Sequence, residues 1–272
     1  MINIYLIRHG QASFAEQDYD KLSKKGIEQS KILGQHWQKL ALAESNANQS
    51  RQYYSGSLLR HEQTAEHFFK GMSEGMNEGF DNKKSELKNT PSGLITHAGF
   101  NELNHEDILS CYNENWRSFQ QMCAGIADST SVEKSDKNDK KNQQLFKQAF
   151  TQAMQRWVSG DFDDEYQESW SQFKQRCLSA LADVIAQTNT IALPDEEPAI
   201  RKELVIFTSG GVIGVLLGHI LQLDDSKMLQ ISQQLVNSSV SKIISTSDGL
   251  RLNYLNNYSH LELAGQEWLS YF

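Results

Sequence analysis

The chain has 272 residues, 39% of them hydrophobic, which is enough to bury one sizeable core but short for two ordinary enzyme domains. We therefore expect a single α/β domain, residues 1–272, with a helical, partly disordered insertion at about residues 104–165. The formal net charge of −8, from 26 basic and 34 acidic residues, predicts a surface that repels nucleic acid and anionic membranes. Cys111, Cys123 and Cys177 lack the close spacing of zinc sites or small disulfide frameworks, which favours a reducing cytoplasm.

The N-terminal residues predict a central strand that ends at a histidine. Residues 2–7 form an almost continuous apolar run that stops at a polar, glycine-containing turn, which is typical of a buried parallel strand. The run is too short to be a signal peptide and has no basic stretch before it, so we expect it to be structural. His9 would follow at the carboxyl end of this strand, where open α/β sheets bind their ligands. A helix that packs on the sheet is predicted next, with its start within residues 22–29.

A second strand, turn and helix follow along the chain. We expect a short strand around residues 52–54 and a helix from about residue 58 to residue 69, which puts Arg60 in the first turn of that helix. Two polar stretches come later. Residues 70–88 are interpreted as a surface excursion, and residues 127–144 are so poor in apolar groups that we expect them to be mobile or disordered.

The remaining residues predict two amphipathic helices, another buried strand and a closing hairpin. Apolar stripes at helical spacing run through residues 145–157 and 170–185, and we interpret both as core. Residues 204–223 carry no charge, but a Thr-Ser-Gly-Gly turn interrupts them, which favours a strand, a turn and a buried helix over a membrane span. Residues 239–255 are expected to form a hairpin around an Asp-Gly turn. This order indicates a three-layer α/β/α sandwich with a mostly parallel central sheet.

Arg8, His9 and Gly10 form the first candidate site. An imidazole attacks phosphorus only when it is neutral and held in one tautomer, and a tight glycine turn offers backbone carbonyls that fix the ring. Arg8 would add a permanent positive charge and a planar set of donors suited to phosphoryl oxygens. Taken alone the tripeptide is a weak indication, because a histidine after a strand also occurs as a simple turn residue.

Arg60 and Glu102 are the next candidates along the chain. Arg60 lies near a predicted helix N-terminus, where free backbone donors and the helix dipole favour anions; the alternative is a solvated arginine. Glu102 follows apolar residues and Phe100, surroundings that suit a general acid; the alternative is an ordinary surface glutamate.

Together these segments resemble the histidine phosphatase superfamily, also called phosphoglycerate mutase-like, and they occur in that family's order along the chain. The resemblance covers residues 1 to about 110 and about 165 to 265, and leaves the middle unmatched. Its motifs are similar to five segments of this sequence: residues 5–11, 20–29, 57–66, 101–103 and 205–211.

The resemblance implies a metal-independent phosphatase that acts on a small phosphorylated substrate through a phosphohistidine at His9. Glu102 would protonate the leaving oxygen and then activate water. We expect no cofactor, because arginines supply the positive charge that a metal ion would provide, and no nucleic-acid or membrane partner; the oligomeric state stays open. The phosphoryl group would be bound by five residues: Arg8, Gly10, Gln11, Arg60 and Ser209.

Ser209 is a departure from the family, which usually carries a second histidine at this position. A serine hydroxyl is shorter and neutral, so the loss could cost about ten- to a thousandfold in rate unless another group compensates. His61, His97, His219 and His260 are the candidates for that role, although each is more typical of a structural or solvent-facing histidine.

Two alternatives remain open from the sequence. The chain could be a weakly active or inactive member that only binds phosphate ligands. Ser209→His should raise phosphatase activity if the rest of the catalytic machinery is intact, and no gain would favour this alternative. It could also be a phosphoglycerate mutase, although residues 11–14, Gln-Ala-Ser-Phe, differ from the Ser-x-Trp-Asn pattern of the mutases. The substrate cannot be named from the sequence beyond a phosphomonoester.

Overall fold

The structure is a computed structural model, and it describes residues 1–13, 20–43, 49–77, 93–116, 121–122, 136–190 and 201–271. Its contacts divide the chain into two compact units, Met1–Glu102 with Arg176–Phe272 and Leu103–Gln175. The range of the second unit includes all of residues 104–165, which the sequence predicts to be an insertion. That the whole chain behaves as a single domain stays a prediction.

The first unit contains a six-stranded mixed sheet with the strand order β3-β2-β4-β1-β5-β6. β1 pairs with β4, β4 with β2 and β2 with β3, all in parallel, whereas β5 and β6 are antiparallel. The predicted α/β fold with a mostly parallel sheet is therefore confirmed, and so is the closing hairpin. The strands are β1 Ile2–Arg8, β2 Gln49–Ser55, β3 Leu94–Thr96, β4 Arg201–Thr208, β5 Val240–Thr246 and β6 Gly249–Asn257.

Helices flank this sheet or follow its strands. In the first unit they are α1 Lys24–Ala43, α2 Leu59–Asn77, most of α5 Trp170–Thr190, α6 Gly210–Ile220, α7 Asp225–Gln234 and α8 Ser259–Ala264. A single 3-10 turn, Ala98–Phe100, follows β3. The second unit contains α3 His105–Tyr112, α4 Asp136–Ser159 and the first turns of α5.

One core cluster of the first unit lies between a face of the sheet and the helices α1 and α2. β4 is central, with β1 on one side and β2 on the other. Its last six residues are all buried, so both faces of this part of the strand are covered. This is why residues 204–207 read as a continuous apolar run rather than an alternating one. The cluster on the helix side consists of Ile7, Leu33, Trp37, Ala65, Phe68, Val205, Phe207 and Val240.

Glycines allow α1 and α2 to approach backbone to backbone. A Cβ atom added to Gly34 would lie 2.0 Å from the carbonyl oxygen of Phe68, and one added to Gly71 would lie 2.2 Å from that of Lys31. Because α2 still packs on α1 at Gly71, the helix continues to Asn77. The prediction that residues 70–77 belong to a surface excursion is therefore wrong, and residues 78–88 lie outside the described residues.

The polar stretch at residues 127–144 also differs from the prediction. Its second part, from residue 136, is helical and continues into the amphipathic part of α4. Lysine and glutamine, which are frequent there, have good helix propensity, so a low apolar content does not exclude a helix. Residues 127–135 lie outside the described part of the chain.

Residues 204–223 divide between β4, the turn at Ser209 and α6, as predicted. No helix among the described residues is long and apolar enough to cross a membrane.

In the second unit, aromatic residues of the two predicted apolar stripes pack on each other. Trp157 of α4 makes an edge contact with Trp170, with 5.1 Å between ring centroids, and lies 5.6 Å from the Phe173 ring. The indole nitrogen of Trp157 donates to the carbonyl oxygen of Glu168 at 2.8 Å. In this unit the stripes therefore form core.

Candidate active site

His9 lies at the carboxyl end of β1, beside the end of β4. Its backbone amide donates to the carbonyl oxygen of Thr208 at 2.8 Å. Its carbonyl oxygen accepts hydrogen bonds from the amide nitrogen of Ser238 and the side-chain nitrogen of Asn237, both at 3.2 Å. The neighbouring segments therefore fix the His9 backbone from both sides.

The His9 ring is held in one tautomer. Its Nδ1 atom lies 2.7 Å from the carbonyl oxygen of Gly10. Because a carbonyl oxygen can only accept, Nδ1 carries the proton and Nε2 keeps a free electron pair. Burial, and after it the charges of Arg60 and Arg8, hold the pKa of His9 well below its ordinary value. The imidazole is therefore neutral near pH 7, as a nucleophile must be.

Contacts to α1 and α2 fix the turn that follows His9. The Gly10 amide donates to the hydroxyl of Thr64 in α2 at 3.1 Å. A Cβ atom on Gly10 would lie 2.4 Å from the carbonyl oxygen of Gly26, so only glycine fits there without a shift of the backbone. The Gln11 side-chain oxygen accepts from the Ser23 hydroxyl at 3.0 Å. Gln11, one of the residues predicted to bind phosphate, thus ties the turn to the start of α1.

Arg60 lies in the first turn of α2, as predicted, and is only 7% exposed. Its Nη1 atom lies 2.5 Å from Oδ1 of Asp20, whose second oxygen accepts from the Leu59 amide at 2.8 Å. Asp20 therefore contacts both the arginine and the free backbone donors at the start of its helix. This role of Asp20 leaves no local pattern in the sequence, because its partner lies 40 residues further along the chain.

Arg8 is also buried, with 8% of its surface exposed. Its Nη1 atom donates to the carbonyl oxygen of Leu235. Its Nε atom lies 3.6 Å from the position that a Cβ atom would take on Gly210, the first residue of α6. Arg8 thus places a positive charge near the start of α6, and the Arg8 and Arg60 charges both act on His9.

Ser209 is fully buried between β4 and α6, and its hydroxyl contacts a histidine. The Oγ atom lies 2.5 Å from Nε2 of His61, which follows Arg60 in α2. The His61 ring is also fully buried, 5.7 Å from the His9 ring between centroids. Burial, and after it the Arg60 charge, hold the pKa of His61 well below its ordinary value, so this ring is neutral too.

Glu102 lies at the N-terminus of α6. Its Oε2 atom accepts from the Gly211 amide at 3.2 Å. The preceding residue, Asn101, accepts from the Ser57 amide at 2.7 Å and donates to the Ser57 hydroxyl at 2.8 Å, which fixes the turn after β2. The residues predicted for the site therefore lie at the carboxyl ends of neighbouring strands and the helix starts that follow them.

Four histidines were candidates to compensate for the missing second histidine, and among them the structure places His61 against Ser209. The Nδ1 atom of His97 accepts from the Gly99 amide, and its Nε2 atom faces Asp183 at 3.8 Å. His219 is exposed near the end of α6, and His260 lies against His36 of α1. Among the described residues, there is no group of three or more His, Cys, Asp or Glu side chains that could hold a metal ion.

A family model matches the second half of the chain, including β4, Ser209 and α6. The model of the histidine phosphatase superfamily, branch 1, matches residues 134–258. Over these residues, which make up less than half of the chain, the sequence is similar to that superfamily. The match begins within the middle of the chain, which the motifs alone left unmatched, and it includes Ser209 but not His9, Arg60 or Glu102. No curated protein sequence matches the chain.

Solved structures of phosphoglycerate mutase-like proteins share the fold. A phosphoserine phosphatase mutant from Entamoeba histolytica, in complex with phosphoserine, is 16% identical with a TM-score of 0.52, over 96% of this chain and 100% of that one. A phosphoglycerate mutase from Bacillus anthracis strain Sterne is 16% identical with a TM-score of 0.56, over 96% of this chain and 95% of that one. An alpha-ribazole phosphatase from Shigella flexneri is 15% identical with a TM-score of 0.51, over 94% and 96% respectively. At these identities the likeness concerns the fold.

Proposed function

We propose that this chain is a histidine phosphatase that hydrolyses a phosphomonoester through a covalent phosphohistidine at His9. The observation that carries the proposal is the His9 ring itself. Its Nδ1 proton is held by the Gly10 carbonyl, its pKa is lowered by burial and by two arginines, and its Nε2 electron pair is left for attack.

In the first step Nε2 of His9 attacks phosphorus, and the bond from phosphorus to the substrate oxygen breaks. Glu102, at the start of α6, gives its proton to that oxygen. In the second step water attacks the phosphohistidine, the phosphorus–nitrogen bond breaks, and Glu102 takes the proton of the water. Arg8 and Arg60 stabilise the charge on the phosphoryl oxygens in both transition states.

The substrate in this proposal is a small phosphorylated molecule, the reaction needs no metal ion, and the enzyme works in the cytoplasm. Phosphatases and a mutase both occur among the proteins that share the fold, so the mutase reaction stays an alternative. A product assay with 3-phosphoglycerate distinguishes the two, since a mutase isomerises it whereas a phosphatase releases inorganic phosphate. Binding without turnover is the second alternative, because Ser209 stands where the family usually has a histidine.

The test is phosphate release from para-nitrophenyl phosphate in the presence of a chelator. We expect the wild type to turn over and His9→Ala to be inactive. His67→Gln is the matched control, because His67 lies on α2 but is not one of the site residues, and it should keep wild-type activity. Equal rates for the wild type and His9→Ala would refute the proposed mechanism.

A further inference from the structure

The His61–Ser209 pair is a buried polar contact that the mechanism above does not use. Both residues are fully buried, their side chains are 2.5 Å apart, and the His61 ring lies beside the His9 ring. Ser209 is the N-cap residue of α6, a position where serine usually bonds an amide of the first helical turn. Within the described residues its side chain makes no such bond. The hydroxyl contacts His61 instead.

We propose that His61 is a positioning residue, which holds the Ser209 hydroxyl so that this hydroxyl donates a hydrogen bond to the phosphoryl oxygens. The inference rests on the proposed function and deepens it. The two side chains would together do what the second histidine does in related enzymes, although they come from positions 148 residues apart.

The direction of the hydrogen bond follows from the surroundings of the His61 ring. Among the described residues no group bonds to Nδ1 of His61, which is buried. The neutral ring carries one proton, and a buried N–H without a partner is rarer and more costly than a buried acceptor without one. The proton therefore lies on Nε2 and is donated to Ser209 Oγ. The Ser209 hydroxyl then keeps its own proton for another acceptor.

The turn after β2 holds the His61 ring in place. A Cβ atom added to Gly56 would lie 2.2 Å from Nδ1 of His61 and 2.9 Å from Oδ1 of Asn101. The ring thus packs against the backbone of Gly56, and Asn101 fixes the next residue of the turn. A donor held in this way needs no reorganisation when charge develops on the phosphoryl group.

The first test is a double-mutant cycle on kcat and KM with Ser209→Ala, His61→Ala and the double variant. We expect Ser209→Ala to lower kcat by about ten- to a thousandfold, as for other lost transition-state donors. His61→Ala should lower kcat by a smaller factor, and the double variant should be no worse than Ser209→Ala, because His61 acts through the serine. A loss in the double variant equal to the product of the two single losses would overturn the proposal.

His61→Gln separates positioning from a merely structural role. The glutamine side-chain nitrogen can donate at a reach similar to that of Nε2, so this variant should recover most of the kcat that His61→Ala loses. Melting temperatures measured beside the kinetics identify any variant whose loss reflects unfolding. If His61→Gln is stable but as slow as His61→Ala, His61 does not act by donation to Ser209.

Two measurements keep the inference independent of turnover. Nitrogen-15 NMR of the ring atoms should find the proton on Nε2 of His61 and on Nδ1 of His9, and a proton on Nδ1 of His61 would overturn the proposal. Calorimetric binding of orthovanadate, a phosphate analogue, should weaken non-additively across the same cycle. If the wild type does not turn over but the NMR and vanadate results are as expected, the proposed phosphatase function is wrong and the positioning of Ser209 by His61 is supported. If the wild type turns over but the effects of the two substitutions are additive, the phosphatase function is supported and only the positioning role of His61 is refuted.

The pair also changes what Ser209→His should do. The site is fully buried and the His61 ring already contacts the Ser209 hydroxyl, so a second ring has no room there. We therefore expect no gain from Ser209→His alone, and higher activity when it is combined with His61→Ala. If Ser209→His alone raised activity, and His61→Ala did not raise it further, this role of His61 would be contradicted.

Discussion

Arg60 and Asp20 show how a single charged contact prepares the site. The pair places a buried guanidinium at the start of α2 and holds it close to His9, where its charge lowers the pKa of the imidazole. A guanidinium can bond the carboxylate and a phosphoryl oxygen through different nitrogens at the same time. A lysine offers one compact charge and cannot do both in this geometry.

Arg60→Lys should therefore reduce kcat/KM about tenfold to a hundredfold, which corresponds to one charge-assisted hydrogen bond of about 1.5–3 kcal/mol. Arg51→Lys is the control, since Arg51 pairs with Glu203 and is not one of the predicted site residues. Steady-state kinetics of the three proteins measure the effect. Wild-type kcat/KM in Arg60→Lys would show that the additional donors of the guanidinium are unimportant.

At the scale of elements, the α1–α2 contact positions the residues of α2 that serve the site. Thr64 bonds the Gly10 amide, and Arg60 and His61 lie one turn earlier on the same helix. The backbone approach at Gly34 and Gly71 sets how closely α2 lies against α1. A side chain at either glycine forces the two helices apart.

Substitution of glycine by alanine should have opposite effects on the free energy of unfolding at two positions of α2. Gly71→Ala should lower the free energy of unfolding by about 1–3 kcal/mol, because its Cβ would meet the backbone of Lys31. Gly75→Ala, one turn later, finds its nearest atom 3.6 Å away. That variant should raise the free energy of unfolding by about 0.5–1 kcal/mol through helix propensity. Urea unfolding measures both, and an equal sign for the two would contradict the close packing of α1 and α2.

For the whole molecule, buried neutral histidines make stability depend on pH. Burial lowers the pKa of His260 to about 3, and it also lowers the pKa values of His9 and His61. In the unfolded chain these residues bind protons below about pH 6.5, whereas in the folded chain they do not. The free energy of unfolding should therefore be constant above neutral pH and fall as the pH drops from about 6.5.

At pH 5 His260 alone should cost about 2 kcal/mol relative to pH 7.5, at about 1.36 kcal/mol per pH unit. Urea unfolding at the two pH values checks this. His260→Gln should show a weaker pH dependence, because glutamine does not titrate. The same dependence in both proteins would mean that His260 is not buried in its neutral form.

Much of the fold and part of the site follow from local sequence patterns. β1 and β4 were predictable because strands buried on both faces are continuously apolar, and the positions of His9 and Ser209 follow from the ends of those strands. The contacts of Arg60 with Asp20 and of Ser209 with His61 were not predictable, because they join distant segments and leave no local pattern. The length of α2 was missed for the same reason, since its last turns are polar but lie against another helix.

The identity of the phosphorylated residue distinguishes the phosphohistidine mechanism from its alternatives. The wild type, mixed briefly with a phosphorylated substrate and quenched in alkali, should carry an acid-labile phosphoryl group that maps to His9 and is absent from His9→Ala. In a parallel sample quenched in acid, a stable phosphoryl group on Ser209 would mean instead that the serine is the nucleophile and His61 its base. That result, or no phosphoenzyme with any substrate that turns over, would contradict the account.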